Sequence, residues 1–154
     1  MPATATTFGY PATRIGETAH WLVLLRPKQV TLGSLVLLCK EPATAFGSLS
    51  DAAFADQARA VRAIEAMLSA FCGYDRINYL MLMMVDPDVH YHVIPRYETP
   101  RSHEGLTIAD TGWPGPPALA DAAALDEASL AGLAAALRPL WDDAMRAHGD
   151  GRGA

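Results

Sequence analysis

Basic charge is scarce in this chain: twelve lysines and arginines stand against seventeen aspartates and glutamates, a formal net charge of -5. A protein that tracks nucleic acid along its phosphates needs a broad cationic surface, so that class is excluded. Cysteine is scarcer still, with Cys39 and Cys72 alone. Two thiols build neither a disulfide framework nor a metal-binding pair of pairs. Both lie in apolar surroundings, where an inert buried thiol is the expected state. Apolar runs fall far short of the roughly 20 residues that span a bilayer. Residues 1–9 hold no charged stretch followed by an apolar core, so no secretory signal is visible. These absences predict a soluble, cytoplasmic protein with no membrane and no nucleic-acid partner.

What remains is ample for one core. Of the 154 residues, 51% are hydrophobic and 19% charged, a balance that excludes a disordered polyelectrolyte. The charge is unevenly spread. Residues 1–40 carry Arg14, Arg26, Lys28 and Lys40 against Glu17 alone, so an acidic protein keeps a basic N-terminal quarter.

Read along the chain, the first ten residues are rich in Thr, Ala and Pro and predict a poorly ordered terminus. Short strands are expected at His20–Leu25 and Ser34–Cys39, joined by a turn-rich link bracketed by Pro27 and Gly33. A helix is expected from about Asp51 to Phe71, capped by Ser48 or Ser50 and stopped by Gly73. Phe54, Ala58, Val61, Ile64, Leu68 and Phe71 would form its apolar stripe, with Asp56, Arg59, Arg62 and Glu65 mostly off it. Ile77–Val85 reads as a buried strand and Val89–Tyr97 as its antiparallel partner across Asp86-Pro87. Met81, Met83 and Met84 are expected in the core. A short strand is expected at Glu104–Ala109, then the loop Gly112-Trp-Pro-Gly-Pro-Pro117. A second helix runs from Asp126 to Ala147, kinked or divided at Pro139. This order, without regular βαβ alternation, predicts an α+β fold with a mainly antiparallel sheet.

Asp88-Val-His90-Tyr-His92-Val-Ile94 carries the chemistry. Side chains alternate along a strand, so Asp88, His90 and His92 share one face. Three ionisable groups in a row on an apolar hairpin are costly unless they meet a solvated pocket. Histidine is the usual residue for acid–base, nucleophilic or metal work near neutral pH. A polar outer sheet face explains the pattern without chemistry. Two histidines and a carboxylate also fit a mononuclear metal site using Asp88, His90 and His92.

His90-Tyr-His-Val-Ile-Pro-Arg-Tyr97 resembles the signature of the histidine-triad (HIT) superfamily, His-φ-His-φ-His-φ-φ with φ apolar. The likeness extends upstream through the 20–40 hairpin, the 51–71 helix and the strand with Asn78, covering roughly residues 13–100. It implies a HIT-like α+β domain with a five-stranded sheet and two helices. The chain then divides into a flexible N-terminus at 1–12, the domain proper at 13–110, and a Pro/Gly loop with C-terminal helix at 111–154. By resemblance, His90 is the nucleophile, attacking the α-phosphorus of a nucleotide ester, anhydride or phosphoramidate to form a nucleotidyl-histidine. Its other ring nitrogen would bond a main-chain carbonyl of the motif strand, which any residue at 88 could supply. His92 would hold the phosphate, with Asn78, Gln29 and Asp88, at the position of the first histidine, on the nucleotide side. Dinucleoside polyphosphates or adenosine 5′-phosphate derivatives are the implied substrates and a homodimer the implied assembly. No resident cofactor is implied; a divalent metal would come only with the nucleotide.

Two departures stand out. Asp88 replaces the first histidine, and a carboxylate there would be protonated, turned away, or paired with His90 or an arginine. After the second strand, Lys40-Glu41-Pro42 lacks the histidine found in many members. A nucleotide-binding protein with little turnover therefore stays open beside the enzyme reading. Arg96 is expected to brace the strand end.

Overall fold

The computed structural model describes residues 1–148. Its N-terminal half contains α1 (Ala3–Thr7), β1 (Arg14–Glu17), β2 (Trp21–Leu25), β3 (Lys28–Gln29), β4 (Leu35–Cys39) and α2 (Asp51–Cys72). The rest adds β5 (Arg76–Leu80), β6 (His90–Arg96), β7 (Arg101–His103), β8 (Leu106–Ile108), β9 (Ala123–Ala124) and α3 (Glu127–His148). Five strands form one antiparallel sheet in the order β1-β2-β4-β6-β5. The α+β architecture and the five-stranded antiparallel sheet agree with expectation.

Every residue of β2 and β4 is buried, which requires cover on both faces of the sheet. One face presents Val23, Leu25, Leu35, Leu37 and Val93 to the two long helices. From α2 come Ala53, Ala60, Ala63, Ile64, Met67 and Leu68; from α3 come Leu133, Ala134, Leu137, Trp141 and Ala144. The opposite face presents Leu22, Leu24, Val36 and Leu38, covered by Ala5, Phe8 and Tyr10. The expected flexible terminus at residues 1–12 is corrected here: residues 3–10 pack on the sheet, because these four apolar side chains would otherwise face water.

Ser50 caps α2 by accepting from Ala53 N at 3.0 Å, and Gly73 ends it in the left-handed conformation at φ 55°. The buried stripe is rotated from the expected one. Ile64 and Leu68 are buried as expected, but Ala53, Asp56, Ala60, Ala63 and Met67 complete the inward face, whereas Phe54 is exposed and rests on Phe46. Small alanines let α2 lie close to its neighbours. Buried Asp56 is satisfied by Thr18 Oγ1 at 2.6 Å and His20 N at 2.8 Å.

Three strand assignments change. The edge strand is β1, whose Arg-Ile-Gly-Glu sequence carries little apolar signal, and residues 104–109 contribute only to the separate β7–β8 hairpin. The strand expected at Ile77–Val85 spans Arg76–Leu80, and residues 81–89 form a connection before β6. Pro139 lies inside an uninterrupted α3. The C-terminal helix packs on the same core, tied to β1 by Arg138 donating to the carbonyls of Arg14 (2.8 Å) and Ala12 (2.9 Å).

Candidate active site

The register of β6 decides which side chains meet. Leu38 pairs with His90 and Val36 with His92, so both histidines lie on the face covered by the N-terminal segment. Neighbours Tyr91 and Val93 turn to the helical side. His90 and His92 are 2% and 9% exposed, with ring centroids 5.2 Å apart and nearly perpendicular planes.

Hydrogen bonds fix the roles of the ring nitrogens. His90 Nδ1 lies 2.7 Å from the carbonyl oxygen of Asp88. A carbonyl only accepts, so Nδ1 carries the proton and Nε2 of the neutral ring keeps its lone pair. His92 is the reverse. Arg26 Nε donates to His92 Nδ1 at 3.4 Å, so the proton of the neutral ring resides on Nε2. Burial, then the positive charge of Arg26 and then His90 push the His92 pKa down to about 4. His92 is therefore an uncharged N–H donor at neutral pH, beside a ring with a free lone pair.

Both histidines open on a cavity of about 410 Å³. Arg26, Pro27 and Lys28 supply a cationic side, residues 82–85 an apolar one with the carboxylate residue Asp86 at its end, and Thr7 and Phe8 the N-terminal wall. The Phe8 ring lies 6.0 Å from His90 and 5.8 Å from His92, centroid to centroid. Met81 and Met83 pack against the core as expected, Met83 also lining this cavity, whereas Met84 belongs to the cavity wall alone. Met84 is 85% and Val85 91% exposed, since the chain leaves the sheet after Leu80.

Three expected nucleotide-side residues lie elsewhere. Gln29 is fully buried and spends its amide on the main chain. Its Nε2 donates to the carbonyls of Arg26 (2.6 Å) and Ser34 (2.9 Å), while Oε1 accepts from the amides of Gly33 (2.8 Å) and Ser34 (3.1 Å). Gln29 thus shapes the loop that presents Arg26 and is not part of the lining of the histidine cavity. Asn78 Oδ1 accepts from Arg96 at 2.7 Å and lines a second cavity, of about 440 Å³, with Arg76 and Trp113. Asp88 directs its carboxylate away from the histidines: Oδ2 accepts from Thr4 N at 3.1 Å and Thr4 Oγ1 at 2.7 Å. The three groups of the metal reading therefore do not converge, and the described residues include no set of three His, Cys, Asp or Glu arranged to hold a metal ion.

Arg26, Phe8 and the 82–86 segment escape the sequence reading as site residues. Arg26 is visible there only as part of the basic N-terminal quarter, and Phe8 only as an aromatic in a Thr/Ala-rich stretch. At the other end of β6, Arg96 braces as expected, bonding Asp110 at 2.7 and 3.1 Å and the Gly115 carbonyl at 2.8 Å. Glu41, in the segment lacking the further histidine, accepts from Ser50 at the start of α2.

A five-stranded antiparallel sheet with this helix order and a His-x-His strand facing a cavity is the fold of histidine-triad proteins. Among solved structures, a hypothetical histidine triad nucleotide-binding protein from Sulfolobus tokodaii matches with TM-score 0.67 and 16% identity, over 92% of this chain and 91% of that one. A histidine triad protein from Bradyrhizobium japonicum gives 0.68 and 20%, over 90% and 95%. A third, from Marinobacter aquaeolei, gives 0.67 and 23%, over 84% and 88%. At these identities the likeness establishes the fold. The sequence matches no family model and no curated protein.

Proposed function

We propose that this protein binds small nucleotides and transfers or hydrolyses their nucleoside-monophosphate group through His90. The observation that carries the reading is the bond from His90 Nδ1 to the Asp88 carbonyl, which leaves Nε2 as the nucleophile. Nε2 attacks the α-phosphorus and forms a P–N bond. The bond from phosphorus to the leaving group breaks, and that group takes the electron pair. Water or another acceptor hydroxyl then attacks phosphorus, forming a P–O bond and losing its proton to solvent, while P–N breaks and its electron pair returns to His90 Nε2. The N–H of His92 and the cations Arg26 and Lys28 suit the phosphate, and neither histidine need be charged. Dinucleoside polyphosphates and adenosine 5′-phosphate derivatives are the substrate class, with any divalent metal brought by the nucleotide.

Brief incubation with diadenosine tetraphosphate, followed by intact-protein mass spectrometry without acid, tests this. An adenylylated chain is expected, absent in His90→Ala. Tight nucleotide binding without adduct or turnover across esters and anhydrides would instead make the protein a binder.

A homodimer is part of the same proposal. β5 ends the strand order, which leaves its outer edge for a second copy. Sedimentation equilibrium at micromolar protein gives the mass directly.

A further inference from the structure

The residue that replaces the first histidine has two separate connections. Its main-chain carbonyl meets His90. Its carboxylate meets Thr4 alone among the described residues, through both the amide and the hydroxyl. Thr4 is 84 residues away and 1% exposed. No side chain of the N-terminal segment itself caps α1, so Asp88 supplies the missing cap from across the fold.

Beyond Thr4 the N-terminal segment is one continuous device. Ala5 is fully buried on the sheet. Phe8 N donates to the Thr4 carbonyl at 3.2 Å and Tyr10 N to the Ala5 carbonyl at 2.9 Å, folding the segment back on itself. Thr13 Oγ1 then holds the Phe8 carbonyl at 2.6 Å. Between these two anchors the Phe8 ring is set against both histidines and forms part of the cavity lining.

We propose that Asp88 is a positioning residue whose carboxylate clamps residues 3–10 over the histidine pair, and that Phe8 is the specificity-determining side chain so positioned. The clamp replaces a titratable group at the motif position with a wall. Phe8 gives the cavity an aromatic edge with no hydrogen-bonding group, so it grips a flat or apolar part of the ligand and leaves phosphate contacts to Arg26, Lys28 and His92. Losing the carboxylate spares the carbonyl that orients His90. The chemistry and the fit of the substrate are thereby separable at a single residue.

The substrate half of this inference rests on the nucleotidyl reading; the clamp itself does not. Amide hydrogen exchange is therefore measured on Asp88→Ala and Thr4→Val beside kinetics with diadenosine tetraphosphate. In both variants, exchange at the amides of Phe8, Gly9 and Tyr10 should quicken at least tenfold while α2 and the central strands stay protected. KM should rise fivefold or more and kcat fall by less than threefold. Phe8→Ala should reproduce the KM rise with Thr4 still protected. Unchanged exchange in Asp88→Ala overturns the clamp. Faster exchange with unchanged KM overturns the role of Phe8, and a collapse of kcat at constant KM would put the carboxylate in the chemistry. If the wild type neither turns over nor binds nucleotides, the nucleotidyl reading fails and the exchange arm alone decides the clamp.

Discussion

Arg26 Nε faces His92 Nδ1 at 3.4 Å, so a group that can only donate selects the tautomer of its neighbour. Arg26→Met removes both that donor and a positive charge. The His92 pKa should then rise from about 4 but remain below its ordinary value, because burial is the larger cause. Two-dimensional imidazole NMR should show Nε2–H alone in the wild type and a mixture of tautomers in the variant. A single unchanged tautomer would contradict the assignment.

The same ring makes stability depend on pH. His92 titrates near 6.5 when unfolded and near 4 when folded, so between those values the unfolded chain binds more protons. Its contribution is complete above about pH 6.5 and is lost as the pH falls through about 4, on the order of 3 kcal/mol in full. Urea midpoints measured from pH 7 to 4 should decline, and His92→Gln should flatten the slope.

Leaving groups should divide sharply. The Asp88 carboxylate is committed to Thr4, and His92 presents an uncharged N–H, a weak proton donor. Anhydrides, whose leaving groups depart as stable phosphate anions, should outpace adenosine 5′-phosphoramidates with alkylamine leaving groups by at least a hundredfold in kcat/KM. Equal rates would reveal an acid elsewhere in the cavity.

Away from the site, Arg96 and Asp110 form a buried pair, 4% and 1% exposed. Arg96→Met strands the carboxylate and should cost about 3–5 kcal/mol, most of it recovered in Arg96→Met/Asp110→Leu. Denaturant unfolding of the single and double variants measures this.

Gly16 tests the seat of the C-terminal helix. A Cβ there would lie 2.1 Å from Trp141 Nε1, and an indole in the core does not yield easily. Gly16→Ala should lower stability by about 1–3 kcal/mol, read from the urea midpoint.

Local rules written in the chain are readable from it. Alternation puts His90 and His92 on one face, Ser50 and Gly73 bound α2, and the motif strand falls within a residue or two of Val89–Tyr97. Interactions that join distant segments are not readable. Thr4 and Asp88 are 84 positions apart, Arg26 and His92 are 66, and no periodicity encodes either meeting. The stripe on α2 misleads because a hydrophobic count favours Phe54, whereas close packing favours alanine. Gln29 misleads because the resemblance sets a glutamine of this loop beside the substrate, whereas here its amide is spent on four main-chain bonds.

Leu82, Met84 and Val85 are exposed at 46%, 85% and 91%, and they are neighbours on one loop. The consequence is colloidal. With a modest net charge of -5 to keep molecules apart, this apolar tip is where they adhere first in concentrated solution. Replacing Val85 with threonine should raise the solubility limit without moving the unfolding midpoint, since a side chain already in water gives up no burial.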